Sequence, residues 1–188
     1  MSNPNTQLIN EYRSCKNLGQ AARSVGMNAL SAYKILAMSG ALTMRDRCTI
    51  GTRSSQLGAK AELEFQRLVP NAKLQNCDEY QRKDFDFLLP NGMTVDIKAR
   101  RKQSDNNCFA FTLQRHYQDS KSADFYVLFA LQGEEITDGY DLFVVPAQIA
   151  EDVKTISYSR RTRDKHWLFD YKIEPEALMG FFDFGEAL

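Results

Sequence analysis

The chain of 188 residues carries 24 basic and 24 acidic side chains, so its formal net charge at pH 7 is zero. Hydrophobic residues make up 43% and charged residues 26%, a composition typical of a folded domain. These values exclude a disordered polyelectrolyte and a uniformly basic nucleic-acid coat. We expect no membrane span, because no apolar run reaches about 18 residues. The first residues also lack the charged start and apolar stretch of a secretory signal.

Cysteine and histidine give little indication of a metal or catalytic site. The cysteines form no CxxC pair, and the two histidines are His116 and His166, which argues against a zinc cluster and against a His-dependent triad. We expect reduced thiols at all four cysteines, which are Cys15, Cys48, Cys77 and Cys108.

The balanced total hides an uneven distribution of charge along the chain. Residues 1–53 hold seven basic and two acidic residues, a net charge of +5, and residues 54–188 carry a net charge of −5. Such asymmetry predicts two modules with different partners. Residues 46–55 are polar with little periodicity, which favours a linker. We therefore predict a small all-α module at 1–45 and a main domain at 56–188.

Three short helices are predicted in the N-terminal module. The first covers residues 7–15, and Asn17 can cap the second. Gly26 ends the second helix, because glycine readily adopts the positive φ of a helix C-terminus. The small Ala22 lies where the second and third helices would cross, so the spacing resembles a helix-turn-helix. The third helix begins near Asn28, and its predicted buried residues are Ala32, Ile35 and Leu36.

The helix-turn-helix pattern predicts contact with DNA. The third helix would enter the major groove, and the net positive charge of the module would attract the phosphate backbone. The outward residues predicted to bind DNA are Asn28, Ser31 and Lys34, with Leu30 beside them. The alternative is a three-helix unit that serves only packing or dimerisation.

From residue 56 the sequence is that of an α/β domain. Its first element is an amphipathic helix with one apolar face formed by Leu57, Ala61, Phe65 and Leu68. The run at 124–131 is nearly continuously apolar, as expected for a central buried strand. Other strands are predicted at residues 73–77, 108–113 and 140–146, with an edge strand at 166–173. Further helices are predicted at residues 114–121 and 147–156.

A β-hairpin is predicted around Asn91-Gly92, which separates two runs of alternating apolar residues. A three-residue loop gives a register with the pairs Phe87–Val95, Asp86–Asp96 and Asp84–Lys98. Two carboxylates directly opposed on a sheet repel each other. We therefore expect a positive charge between Asp86 and Asp96, and a hard divalent cation with oxygen ligands fits this position.

Three acids and a lysine in this arrangement resemble the motif of the PD-(D/E)xK nuclease superfamily: Glu62 on a helix, Asp86 on a strand, and Asp96-Ile97-Lys98 on the next strand. The resemblance covers roughly residues 56–150. It implies a restriction-endonuclease-like fold, in which helices flank a mixed β-sheet core. It also implies that Glu62, Asp86 and Asp96 bind Mg²⁺, for which Mn²⁺ would substitute, and that these acids and Lys98 are catalytic.

The superfamily motif is only partly kept at its first aspartate. Lys83 stands where the motif has proline before Asp84, whereas Asp86 is flanked by apolar residues, as the first aspartate of the family usually is. Both aspartates stay open as the first metal ligand. We favour Asp86, because it lies opposite Asp96 in the predicted register.

A basic segment follows the candidate site. Arg100, Arg101 and Lys102 are predicted to hold the phosphate backbone of DNA, and their alternative is a solvated loop. A second basic cluster lies at residues 160–165, where clamping of DNA and simple exposure are equally compatible with the sequence.

The sequence thus predicts a Mg²⁺-dependent endodeoxyribonuclease that is site-specific, of the homing or restriction type, and that leaves 5′-phosphate ends, as the resemblance implies. Cutting two strands with one site per chain favours a homodimer or higher homo-oligomer. We expect an intracellular, cytoplasmic protein of a prokaryote or phage. One alternative is a DNA junction-resolving nuclease. The other is a non-catalytic helix-turn-helix regulator with a decayed nuclease core, against which the joint presence of the four site residues argues.

Overall fold

A computed structural model of the chain describes residues 3–50, 52–75, 85–102, 108–113, 123–150, 153–159, 162 and 165–183. The helices are α1 (Pro4–Cys15), α2 (Leu18–Ser24), α3 (Ala29–Met38), α4 (Met44–Thr49), α5 (Arg53–Leu68) and α6 (Leu178–Phe182). The strands are β1 (Lys73–Leu74), β2 (Phe87–Leu88), β3 (Thr94–Arg101), β4 (Cys108–Thr112), β5 (Phe125–Leu131), β6 (Tyr140–Pro146), β7 (Thr155–Ser159) and β8 (Lys172–Ile173). Short 3₁₀ helices cover Ile136–Asp138, Trp167–Tyr171 and Pro175–Ala177.

A mixed six-stranded sheet, in the order β1-β2-β3-β5-β6-β8, forms the centre of the main domain. β3 and β5 are parallel, and the other neighbouring strands are antiparallel. β5 lies between β3 and β6 and is buried along nearly its whole length, which explains its continuous apolar sequence. The predicted α/β class, the mixed sheet and the central strand at 124–131 are confirmed.

Each face of this sheet is covered by a different layer. On one face, α5 and α6 pack through Phe65 and Phe182 against the strands. On the other face, β4 and β7 form a separate antiparallel pair whose apolar side chains pack on β5 and β6. The predicted strand at 108–113 is therefore present, but it pairs with β7 outside the central sheet.

The predicted hairpin forms with the expected loop. Phe87 pairs with Val95, and the amide of Leu89 donates to the Met93 carbonyl at 2.8 Å. The ladder ends at Phe87. The amide of Asp86 donates to the carbonyl of Val95 at 2.9 Å, so Asp86 does not continue the ladder to Asp96. The predicted strand pairing of Asp86 with Asp96 is therefore not formed, although their side chains still interact.

Two glycines, Gly92 and Gly58, have different backbone conformations, and substitution by alanine tests this difference. Gly92 closes the hairpin with φ +83°, whereas Gly58 lies within α5 and has no atom within 4 Å of an added Cβ. Gly92→Ala should lower the free energy of unfolding by about 1 kcal/mol, because a side chain strains the left-handed backbone, and Gly58→Ala should raise it by about 0.5–1 kcal/mol. Urea unfolding of both variants measures the two changes in the free energy of unfolding. Changes of the same sign in both variants would contradict these backbone conformations.

The N-terminal module follows the predicted helices closely. The side chains of Asn17 and Asn28 cap α2 and α3, accepting from backbone amides at 2.9 and 2.8 Å. Gly26 has φ +69° in the turn between them. Of the predicted stripe on α3, Ala32 and Leu36 are fully buried, and Ile35 packs at the edge of the same cluster.

Three predicted segments differ from the structure. The linker predicted at 46–55 instead contains most of α4 and the first turn of α5. The helix predicted at 147–156 is a turn at 147–150, and the chain then enters β7, whose alternating Ile156 and Tyr158 are buried. The edge strand predicted at 166–173 is mostly a 3₁₀ helix, and only its last two residues, β8, pair with β6.

Other expectations concern the chain as a whole. Among the described helices, none is both long and apolar enough to cross a membrane. Cys15 and Cys48 are free thiols, as expected. Cys77, Asp84 and the helix predicted at 114–121 lie outside the described residues.

Candidate functional site

Asp96 and Lys98 lie on one face of β3, because side chains alternate along a strand and Ile97 between them packs in the core with α5. The Nζ of Lys98 is 2.8 Å from Oδ1 and 2.7 Å from Oδ2 of Asp96. Asp96 is buried, and burial raises the pKa of its carboxyl well above the usual range, with the nearby charge of Asp86 adding to the rise. The lysine opposes this rise but does not cancel it.

Asp86 connects the other acids of the site. Its Oδ2 accepts a hydrogen bond of 2.8 Å from the backbone amide of Ile97, which fixes the carboxylate against β3. Its negative charge raises the pKa of both Asp96 and Glu62, so it lies within electrostatic reach of both. Asp86 and Lys98 each interact with both Asp96 and Glu62, which brings together the four residues that the sequence predicted to be catalytic.

Glu62 reaches the site from the middle of α5. Its side chain is only 7% exposed. Burial is the main cause that raises the pKa of its carboxyl, and repulsion by Asp86 is the next. A buried carboxylate is costly unless it is paired, and its partner is an arginine that the sequence did not predict.

Arg47 of α4 forms a bidentate ion pair with Glu62. Its two terminal nitrogens each lie 2.7 Å from a different carboxylate oxygen. The sequence did not indicate this residue because it falls in the predicted linker. A usable signal was present, since Thr43 followed three residues later by Asp46 is a helix-start pattern. Thr43 does cap α4, accepting from the Asp46 amide at 3.3 Å.

The position of α4 is fixed from the N-terminal module. The hydroxyl of Tyr12 on α1 donates to the Asp46 carboxylate, and Thr43 Oγ1 donates to the same oxygen at 3.0 Å. The Thr43 amide in turn donates to the Tyr12 hydroxyl at 3.0 Å. Neighbouring residues of one short helix therefore contact the core of the N-terminal module and the candidate site.

A cleft of about 720 Å³ opens between these two parts of the molecule. The N-terminal side is lined by Tyr33 and Ala37 of α3 and by Arg47. The opposite side is lined by the first turns of α5 and by the candidate site, through Ser54, Ser55, Glu62, Asp86 and Lys98. Three of the four predicted site residues thus line an open concave surface, and the fourth, Asp96, lies behind Lys98.

Asp86 and Asp96 offer the carboxylate oxygens that a hard divalent cation binds, and a cation at Asp96 would share with Lys98 a carboxylate whose two oxygens both contact the lysine Nζ. Mg²⁺ is usually bound by one or two carboxylates, with water and substrate phosphates as its other ligands. A cation would oppose the rise in the pKa of Asp96, which burial causes and the charge of Asp86 increases. In the described part of the chain, no cluster of three acidic, histidine or cysteine side chains is arranged to hold a metal. Glu62, the predicted third ligand, has both oxygens bonded to Arg47.

The predicted DNA-binding residues lie at the start and along the first turns of α3, but the side chain of Asn28 serves the helix itself. Asn28 is exposed, and its Oδ1 accepts from the Ser31 amide as the helix cap. Ser31 is half-buried, and only Lys34 adds a positive charge. The same surface exposes two large apolar side chains, Leu30 and Met38.

The predicted basic segment after the site is largely engaged within the protein. Arg100 Nε donates to the Ala110 carbonyl at 3.1 Å, which ties β3 to β4. Arg101 Nε donates to the Glu134 carbonyl at 2.7 Å, and its Nη1 lies 3.4 Å from the Glu134 carboxylate. Lys102 follows the end of β3 and is half-buried. The two arginines therefore have structural bonds that DNA binding would have to share or replace.

In comparisons with known proteins, no family model matches the sequence, and no curated protein matches it. Membership of the PD-(D/E)xK superfamily and the restriction-endonuclease-like form of the sheet therefore stay predictions.

Proposed function

We propose that the protein is a Mg²⁺-dependent endodeoxyribonuclease. The observation that carries this proposal is that Glu62, Asp86 and Lys98 line one open cleft, while the buried Asp96 bonds to Lys98 beside it. These residues come from a helix, a loop and a strand, and they are the four that the sequence pattern predicted. Buried carboxylates with raised pKa values beside a lysine are characteristic of functional sites.

Asp86 and Asp96 are the residues that would hold the cation. A bound Mg²⁺ would polarise the scissile phosphate and lower the pKa of the attacking water. Lys98 carries an ammonium group that Asp96 orients towards the site, and this positive charge would stabilise the negative charge that develops on the phosphate. The amide of Ile97 holds the Asp86 carboxylate in place.

The shape and charge of the N-terminal side support DNA as the substrate. Residues 1–53 carry a net charge of +5, and Arg47 contributes to the wall of the cleft. We propose that this module grips the duplex by its backbone, since α3 offers few polar side chains for reading bases. A homodimer or higher homo-oligomer in the cytoplasm, acting on a specific DNA site, is part of the proposal.

Incubation with different DNA forms tests the proposal and its subtypes. Plasmid, linear duplex, four-way branched and single-stranded DNA should be incubated with the protein in Mg²⁺ and in EDTA, and the ends mapped. A few fixed sites on duplex DNA support a site-specific enzyme, and preferential cutting of branched DNA supports a junction-resolving one. Binding of duplex DNA without any cleavage would instead support a non-catalytic regulator.

The identity of the first aspartate gives a further prediction. Asp86→Asn should reduce Mg²⁺-dependent cleavage about a thousandfold or more, because it removes a cation ligand worth several kcal/mol in the transition state. Asp84→Asn should reduce cleavage much less. Single-turnover cleavage rates of the two variants show which aspartate binds the metal. A larger loss in Asp84→Asn than in Asp86→Asn would assign the metal to Asp84.

A further inference from the structure

In the ion pair between Arg47 and Glu62, the guanidinium occupies a carboxylate that a divalent metal ion could also bind. Both Glu62 oxygens accept from the guanidinium, and Asp86 and Lys98 are close enough to change the pKa of this carboxyl. A divalent cation that approached Glu62 would therefore meet the positive charge of Arg47. In this arrangement a metal ion would have to compete with Arg47 for the Glu62 carboxylate.

Arg47 is also placed to meet a substrate. Its side chain is 29% exposed, compared with 7% for Glu62, and both residues line the cleft. A guanidinium binds a phosphate with the same two-pronged geometry that it uses for a carboxylate. Because Asp46 bonds to Tyr12 and Thr43, the backbone of α4 is held, and an exchange of partner needs only the Arg47 side chain to move.

We propose that Arg47 is a latch on the site: it binds Glu62 while the cleft is free of DNA, and it exchanges this carboxylate for a DNA phosphate when the cleft is filled. The exchange leaves Glu62 open to the divalent cation, so DNA binding completes the metal site. This inference rests on the proposed nuclease function. It adds Arg47 as a substrate-binding residue that controls the access of the metal to Glu62.

Mn²⁺ binding to the full chain without DNA tests the first position of the latch. Isothermal titration calorimetry should compare the wild type, Arg47→Gln, Glu62→Gln and the double variant. The latch predicts that Arg47→Gln binds Mn²⁺ about tenfold more tightly than the wild type, which corresponds to about 1.4 kcal/mol. In the Glu62→Gln background the same substitution should give no gain, because the carboxylate for which the two cations compete is gone.

The matched control is Arg45→Gln, which removes the same charge from an exposed residue of the same helix. It should leave the Mn²⁺ affinity unchanged. If Arg47→Gln does not fold, Arg47→Lys replaces it. A lysine cannot make the two-pronged pair, so a gain of about threefold is expected, and an unchanged affinity would overturn the latch.

The salt dependence of duplex binding in EDTA tests the second position. Loss of one phosphate contact in Arg47→Gln should lower the slope of log K against log salt by about 0.9 relative to the wild type. An unchanged slope overturns the exchange.

The competition is overturned if the wild type and Arg47→Gln bind Mn²⁺ equally tightly, or if Arg45→Gln gains as much affinity as Arg47→Gln. The metal site itself is tested separately: loss of Mn²⁺ binding in Asp96→Asn supports it even if the competition is overturned. Absence of Mn²⁺ binding in every variant would overturn both the latch and the proposed function.

Discussion

Asp96→Asn should abolish Mg²⁺-dependent DNA cleavage, with a loss of at least about a thousandfold in the single-turnover rate. The expected loss follows from two roles of this carboxylate: in the proposed function it would bind the cation, an interaction worth several kcal/mol, and it bonds to Lys98. DNA affinity in EDTA should not fall, because the substitution removes a negative charge from beside the cleft and leaves the charge of Lys98 in its lining. Lys98→Met should lose about 10²–10³-fold, the usual loss for one group that stabilises transition-state charge.

Asp170→Asn is the control for this experiment, since Asp170 is exposed on the 3₁₀ helix Trp167–Tyr171. It should cut DNA at the wild-type rate. Cleavage that survived in both Asp96→Asn and Lys98→Met would show that the chemistry takes place elsewhere in the molecule.

Phe65→Ala should destabilise the main domain by about 3–5 kcal/mol, as expected for a large-to-small substitution in a well-packed core. Phe65 is completely buried where α5 meets the sheet, with its ring centroid 4.8 Å from that of Phe87 and 6.0 Å from that of Phe182. The loss is a large part of the stability of an ordinary domain. Urea unfolding followed by circular dichroism measures it.

Leu63→Ala is the matched control on the same helix, because Leu63 is 51% exposed. Its free energy of unfolding should stay within about 0.5 kcal/mol of the wild type. Comparable losses in the two variants would mean that α5 packs on the sheet through a different face.

The central strands and the hairpin could be predicted from the sequence because their signals are local. Asn91-Gly92 between alternating apolar runs specifies a turn and a register, and both form as predicted as far as Phe87. A nearly continuous apolar run at 124–131 indicates a strand buried on both faces. The same reasoning placed Asp96 and Lys98 on one face of β3, because the alternation of side chains along a strand is fixed by geometry.

The remaining features depend on contacts between distant parts of the chain. β7 was not predicted, and its first two residues fell at the end of a predicted helix, because short apolar alternation at Ile156 and Tyr158 does not reveal the partner strand β4. Asp86 departs from the ladder because its amide donates to the Val95 carbonyl, a bond that no local pattern encodes.

Arg47 could not have been placed from the sequence alone. The capping pattern of Thr43 and Asp46 would have indicated α4, but not that its arginine pairs with a glutamate of α5. That pairing depends on the packing of α4 between α1 and α5, where Asp46 bonds to Tyr12.

The measurement that tests the central claim most directly is cleavage of DNA by the wild-type full chain as a function of Mg²⁺. We predict that duplex DNA is cut in Mg²⁺, that the new ends carry 5′-phosphates, and that EDTA stops the reaction while DNA stays bound. Failure to cut any of the four DNA forms in Mg²⁺ or Mn²⁺, or cleavage that continues unchanged in EDTA, would contradict the assignment of Asp86, Asp96 and Lys98 as a metal-dependent nuclease site.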